Sequence, residues 1–165
     1  MSDLKNRLRP SLLDRLTDLH PHDRKQVPNE YTVSEIELKE QVRRDLTWLF
    51  STTQMAADRA LDPYPHVKSS VLNFGLRGLT GTLLSSITPE KLKREVQEVI
   101  EIHEPRLLPN SLKIDVYADY SRHGRSALVI RIEADLWAEP VPLSLLLRTE
   151  IDVETGTVQV EESRT

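Results

Sequence analysis

Two long alternating stretches set the strongest limit on what this chain can fold into. Leu112, Ile114, Val116, Ala118 and Tyr120 alternate with Lys113, Asp115, Tyr117 and Asp119. Leu128, Ile130, Ile132, Ala134 and Leu136 then alternate with Val129, Arg131, Glu133, Asp135 and Trp137. A period of two puts each apolar set on one side of a strand. "SRHGRS" between them is turn-like, so the pair reads as a long hairpin with one buried face. "EPVP" breaks the second run, Leu145, Leu147, Thr149 and Ile151 resume the alternation, "DVETG" turns, and "TVQVEE" follows. The product is an antiparallel sheet of three to four strands. Its apolar face needs a second layer, so the class is α+β with helices packed on one face.

The helices are legible upstream. Ser34 and Glu37 have the spacing of a capping box. Leu38, Val42, Leu46, Leu49 and Phe50 then form one apolar stripe, with Trp48 beside it. Glu35 with Lys39, and Glu40 with Arg44, have i,i+4 spacing on a face that reads as solvated. A second helix starts at Thr88 with Pro89 at its first position, and Ile87 and Leu92 have the spacing of a hydrophobic staple. Leu92, Val96, Val99 and Ile100 share a face, and Pro105 disfavours helical geometry at Glu104, so this helix stops near His103. Residues 51–87 are less regular, and Val71 to Phe74 fit either a short buried strand or a turn.

A short amphipathic piece comes first. In "RPSLLDRLTDLHP", Leu12, Leu13, Leu16 and Leu19 recur at helical spacing, with Pro10 suiting a first turn and Pro21 ending the pattern. About three turns of helix are marginal alone in water. These leucines therefore pack either on the chain's own core or on another protein. The polar, proline-containing strap after them suits a docking peptide. The expected division is residues 1–33 as helix and strap and 34–165 as one α+β domain, since 165 residues suffice to bury roughly 70% of the unfolded surface.

Several function classes are disfavoured by composition. The net charge is -4, with both signs mixed throughout and aromatics at 5%, which suits neither a basic nucleic-acid face nor a base-stacking platform. There are no cysteines, hence no disulfide framework and no thiolate metal site. No segment approaches the ~20 apolar residues of a membrane span. The charged start shows no secretory signal, so the expected location is the cytoplasm. Gly75, Gly78 and Gly81 match neither a Walker A motif nor a dinucleotide fingerprint. "HPHD" (His20, Pro21, His22, Asp23) is the best metal candidate, but no third and fourth ligand stand at a recognisable spacing. No metal, cofactor or catalytic residue is expected.

Glu104, Pro105 and Arg106 form the most distinctive tripeptide. With extended backbone, residues two apart project to one side, so opposite charges leave a stiff corner together. A catalytic acid, a structural corner and a docking point all place such residues there. A cation beside a carboxylate favours its charged form, whereas a general acid at neutral pH needs the neutral one, which disfavours a glycosidase scheme with Asp115 or Asp119. As a surface feature, the corner would hold an exposed ion pair of ~0–1 kcal/mol, and its substitution would move stability by roughly 0.5 kcal/mol or less.

The motifs "SLLDRL" (11–16), "YPHVKSSVLNFGLRGLTG" (64–81), "IHEPRL" (102–107) and "IDVETGTVQV" (151–160) occur in this order along the chain. In them it resembles TssE, the baseplate subunit of type VI secretion systems, which is similar to a phage-tail baseplate wedge family long labelled lysozyme-like. "FSTT" (50–53) departs from the Leu-Asn-Thr-Arg of that family. The resemblance implies a structural protein of the bacterial cytoplasm, in a membrane-docked baseplate without itself inserting in the membrane. Its implied partners are the wedge proteins TssF, TssG and TssK and the sheath proteins TssB and TssC, whose first ring it would template. Glu104, Pro105 and Arg106 would then be the docking motif. Leu12, Leu13 and Leu16 would be a second contact. Val158 and Val160, in the last strand, would offer an edge to a sheath strand. The alternatives are a lysozyme-like peptidoglycan hydrolase and a cytoplasmic adaptor unrelated to secretion.

Overall fold

The structure is a computed structural model that describes residues 8, 10–17, 22, 33–57, 60–119, 127–138 and 141–163. In chain order the elements are α1 (Leu12–Leu16), α2 (Glu35–Ser51), α3 (Pro65–Lys68), α4 (Pro89–His103), β1 (Lys113–Asp119), β2 (Ala127–Leu136), β3 (Leu143–Asp152) and β4 (Val158–Glu162). The strands form one sheet of four in the order β1-β2-β3-β4, every pair antiparallel. The α+β class and the helix-covered sheet are as the alternation requires.

Register fixes the faces. Ile114 stands opposite Ile132, Ile132 opposite Leu147, and Ile130 opposite Thr149. This face meets α2, against β3 and β4, and α4, against β1. Leu46, Leu92, Ile100, Ile130, Ile132, Leu136, Leu145 and Leu147 are fully buried between the layers, each contributing about 1.5–3 kcal/mol of apolar burial. Thr149 lies among them at 0% exposure, and its hydroxyl has no hydrogen-bond partner among the described residues. The other face is mainly polar, with Arg131 directly opposite Arg148, but it also carries Val129 at 0% exposure. Arg148 turns to Glu150, 2.9 Å away.

The capping box of α2 forms: Ser34 Oγ accepts from the Glu37 N–H, and the Glu37 carboxylate accepts from the Ser34 N–H. All of the expected stripe from Leu38 to Phe50 is buried. The charges on its other side differ from the i,i+4 expectation. Lys39 pairs with Glu162 at 3.3 Å, Arg43 with Glu40, and Arg44 with Asp14 and Asp45. Long side chains at the rim of a docked helix reach partners distant in sequence, which helix spacing alone does not encode. α4 begins and ends where Thr88 and Pro105 place it, although the Thr88 side chain makes no cap bond.

The segment before α4 is neither strand nor buried at Val71 and Leu72. Val71–Asn73 is a 3-10 turn, with Val71 81% and Leu72 64% exposed. Asn73 is the buried residue. Its Oδ1 accepts from the Ala56 N–H at 2.8 Å, and its Nδ2 donates to the Lys68 carbonyl at 3.0 Å. Gly75 has φ 124°, and a Cβ there would run into the Thr52 carbonyl oxygen and lie 2.9 Å from the Gln54 nitrogen. That close approach lets Leu76 bridge to Thr53 and join the loop to the end of α2.

Candidate functional site

The Glu-Pro-Arg corner is built from both of its ends. Glu104 caps α4, its N–H donating to the Ile100 carbonyl at 2.8 Å. Beyond Pro105 the chain runs beside the end of β2: the Trp137 N–H donates to the Arg106 carbonyl at 2.7 Å, and the Leu108 N–H to the Asp135 carbonyl at 2.9 Å. Leu107, 3% exposed, anchors this segment in the core. The corner is thus attached to the sheet and held closed by backbone bonds.

Its side chains depart from the surface expectation. Glu104 is 3% exposed. Arg106 folds back over it, with Nε donating to Oε1 at 2.6 Å and Nη2 donating to Oε2. The ion pair is therefore buried rather than exposed. A charge cap seals the end of α4, and only Pro105 is open to solvent, with Arg106 half-buried. Breaking such a pair from one side typically costs 3–5 kcal/mol, far above the surface value.

The pair also extends outward. Arg106 Nη2 donates to Asp45 Oδ2 at 2.6 Å. Asp45 Oδ1 accepts from Arg44 Nε at 2.9 Å and Nη2 at 2.8 Å. Arg44 then grips Asp14 of α1 with a two-pronged fork, Nη1 to Oδ1 at 2.7 Å and Nη2 to Oδ2 at 3.0 Å. Its guanidinium also lies 4.9 Å from the centre of the Trp48 ring, a cation–π contact. Charges alternate in sign from Glu104 to Asp14. The bond from Arg44, outweighing burial, holds the Asp14 carboxyl below the usual carboxylate range, with further help from Ser11 and from Arg106. Asp14 in turn raises Arg44. Burial pulls Arg106 down, but Glu104 and Asp45 together outweigh it and leave it raised.

α1 is shorter than the three turns expected, and Pro10 precedes its cap, Ser11, rather than sitting in its first turn. None of its side chains is buried. Leu12, Leu13 and Leu16 are 69%, 54% and 75% exposed. The polar side of the helix faces the body and its apolar side faces away. Leu19, His20, Pro21 and Asp23 fall outside the described residues. Among the described residues no group of three His, Cys, Asp or Glu side chains is placed to hold a metal ion, and no helix is long and apolar enough to cross a membrane.

The last strand presents backbone, not side chains. The Ser163 N–H bonds the Leu146 carbonyl and the Asp152 N–H the Thr157 carbonyl. With the β3–β4 register, Gln159 and Glu161 then bond into β3, whereas Val158, Val160 and Glu162 turn their N–H and C=O groups to the free edge. The side chains of Val160, 4% exposed, and Val158 belong to the core. The edge is partly guarded: Arg43 Nη1 donates to the Val160 carbonyl at 3.2 Å, and Lys39 pairs with Glu162.

A cleft of about 280 Å³ lies elsewhere, between α4 and the loop before it, lined by Asp62, Lys68, Asn73, Glu95, Glu98 and His103 among others. Glu95 pairs with Arg77 and Glu98 with Lys68. Neither Glu104 nor Arg106 lines it. The corner, α1 and the β4 edge were each legible as candidates. The link between the first two was not, because Arg44 and Asp45 read as an ordinary helix face.

No curated protein and no solved structure matches this chain. A family described as baseplate wedge protein gp25 matches residues 36–141, well over half of the 165, from α2 past the end of β2 and including the corner. The chain belongs to the baseplate wedge protein gp25 family.

Proposed function

We propose that this protein is a structural baseplate subunit of a type VI secretion system, docking in the wedge and templating the first ring of the contractile sheath. The observation that carries this reading is the mounting of α1. A helix held by Asp14 and Ser11, with none of its side chains buried and Leu12, Leu13 and Leu16 each more than half exposed, leaves most of its apolar surface to a partner. Residues 1–33 are then an attached arm and residues 34–165 the wedge body. The order of the motifs around Leu12, Tyr64, Glu104 and Ile151 supports TssE among baseplate proteins, with TssF, TssG and TssK as wedge partners and TssB and TssC at the sheath. In this reading Pro105 and Arg106 are the outward part of the corner, and Glu104 is the counter-ion behind them. Arg106 keeps one buried donor, Nη1, without a partner among the described residues. The role is mechanical rather than enzymatic: a buried carboxylate under a guanidinium offers no open acid, and Asp45 beside it is held by two arginines.

Purification of the protein from its native cell at ordinary expression tests the assignment. Baseplate and sheath proteins should co-purify with it. Their absence, or release of muropeptides by the purified protein that depends on Glu104, would refute it.

A further inference from the structure

α1 is attached to the body by polar contacts. No side chain of the helix is buried and its leucines are each more than half exposed, so the apolar packing that normally fixes a short helix contributes little. Among the described residues the attachments are the Arg44 fork on Asp14, the Ser11 N–H on Gln41 Oε1 at 3.2 Å, and a backbone bridge between Leu8 and Val33. The direction in which α1 faces therefore depends on where the Arg44 guanidinium sits.

Arg44 is long and would be mobile if unsupported. Asp45 supports it on one edge and Trp48 on its face. Asp45 is itself gripped on its other oxygen by Arg106, and Arg106 is anchored by Glu104, the most buried group of the chain of charges. Without the Arg106 charge, Arg44 alone would face Asp14, Asp45 and Glu104. A buried carboxylate without a counter-ion is the least tolerable of these, so the balance would draw Arg44 away from Asp14. The field of Arg106 already reaches Asp14 and favours its charged form.

We infer that Glu104 and Arg106 position the N-terminal helix: acting through Asp45, they hold the Arg44 guanidinium on Asp14 and so fix the direction in which Leu12, Leu13 and Leu16 face. The corner is then a positioning device as well as a surface, and the arm and the corner behave as one unit when a partner arrives. The importance of this coupling rests on the docking role proposed for those leucines. The coupling itself is a property of the isolated protein.

The chain has no cysteine, so spin labels can be placed cleanly. One pair, at Leu16→Cys and Ile36→Cys, reports α1 against α2; both sites are 75% exposed. A second pair, at Lys113→Cys and Glu161→Cys, reports the sheet. Pulsed dipolar spectroscopy on the full chain should give a narrow α1 distance that Asp14→Asn broadens at least twofold. Arg106→Gln, which leaves the buried Glu104 carboxylate without its counter-ion, should broaden it to a similar extent with the sheet distance unchanged, and Glu104→Gln/Arg106→Gln, which leaves no buried charge to draw Arg44 away, should restore the narrow distance. The inference is overturned if Arg106→Gln keeps the narrow distance, if the double variant stays as broad as Arg106→Gln, if Asp14→Asn keeps the narrow distance, if the unsubstituted protein is already broad, or if the sheet distance broadens together with α1. These measurements need no partner, so a failure of wedge binding would count against the docking role alone.

Discussion

Arg106 Nε lies 2.6 Å from Oε1 of Glu104, and that carboxylate is 3% exposed. The relationship sets what substitution at the corner does. Arg106→Ala strands a buried charge and should cost about 3–5 kcal/mol in urea unfolding. Replacing both partners by Gln should cost much less, because no charge is then left unpaired. Equal losses for the single and double variants would mean that the pair does not act as a pair.

Asp14 gives the arm an acid limit. Its folded pKa is depressed, chiefly by the bond from Arg44. A depressed carboxylate stabilises the folded contact at every pH above its unfolded value, ~3.9, and loses that contribution as pH falls through the folded value. Between the two the released arm binds more protons than the docked one. α1 should therefore stay docked at neutral pH and detach only in acid, below about pH 4. Chemical shifts of residues 10–17 followed against pH, beside the sheet amides as reference, check this; detachment near pH 6 would contradict it.

Thr149 offers a gain. Its hydroxyl is buried among Leu147, Ile130 and Val160, without a partner among the described residues. Thr149→Val keeps the shape and removes the unsatisfied group, so it should stabilise the fold by about 1 kcal/mol. A loss of stability in thermal unfolding would mean that the hydroxyl is satisfied in solution.

At the free edge, Val158→Pro removes an outward-facing N–H that no bond to β3 uses, so the sheet should survive. If the edge accepts a strand of the first sheath ring, baseplates carrying this variant should bind their wedge partners and fail to start a sheath. Sheath growth at the normal rate, seen by fluorescence in living cells, would remove the edge from the account.

What the sequence revealed and what it hid divide by distance along the chain. Ser34 and Glu37, Ile87 and Leu92, and the alternation from Leu112 to Ile151 are local patterns, and each became the element it specifies. The corner was visible because Pro105 constrains its neighbours. Its burial was not, because nothing within a few residues of Glu104 records that Leu107 pulls the segment into the core. The grip of Arg44 on Asp14 spans thirty residues (|i−j| = 30) and competes with nearer acids on its own helix. At Val71 the pattern left a buried strand and a turn both open; the fold makes the turn, and it is Asn73 rather than Val71 or Leu72 that it buries, to satisfy two backbone groups.

The proposed docking of this protein through the apolar face of α1 is open to direct measurement. Binding of the purified chain to a purified TssF–TssG complex, compared with a Leu13→Asp/Leu16→Asp variant by calorimetry, tests it most directly. Both leucines are more than half exposed, so the variant should melt at the same temperature as the parent. Its affinity should fall at least tenfold, or about 1.4 kcal/mol. Equal affinities for parent and variant, or no binding by the parent, would contradict it.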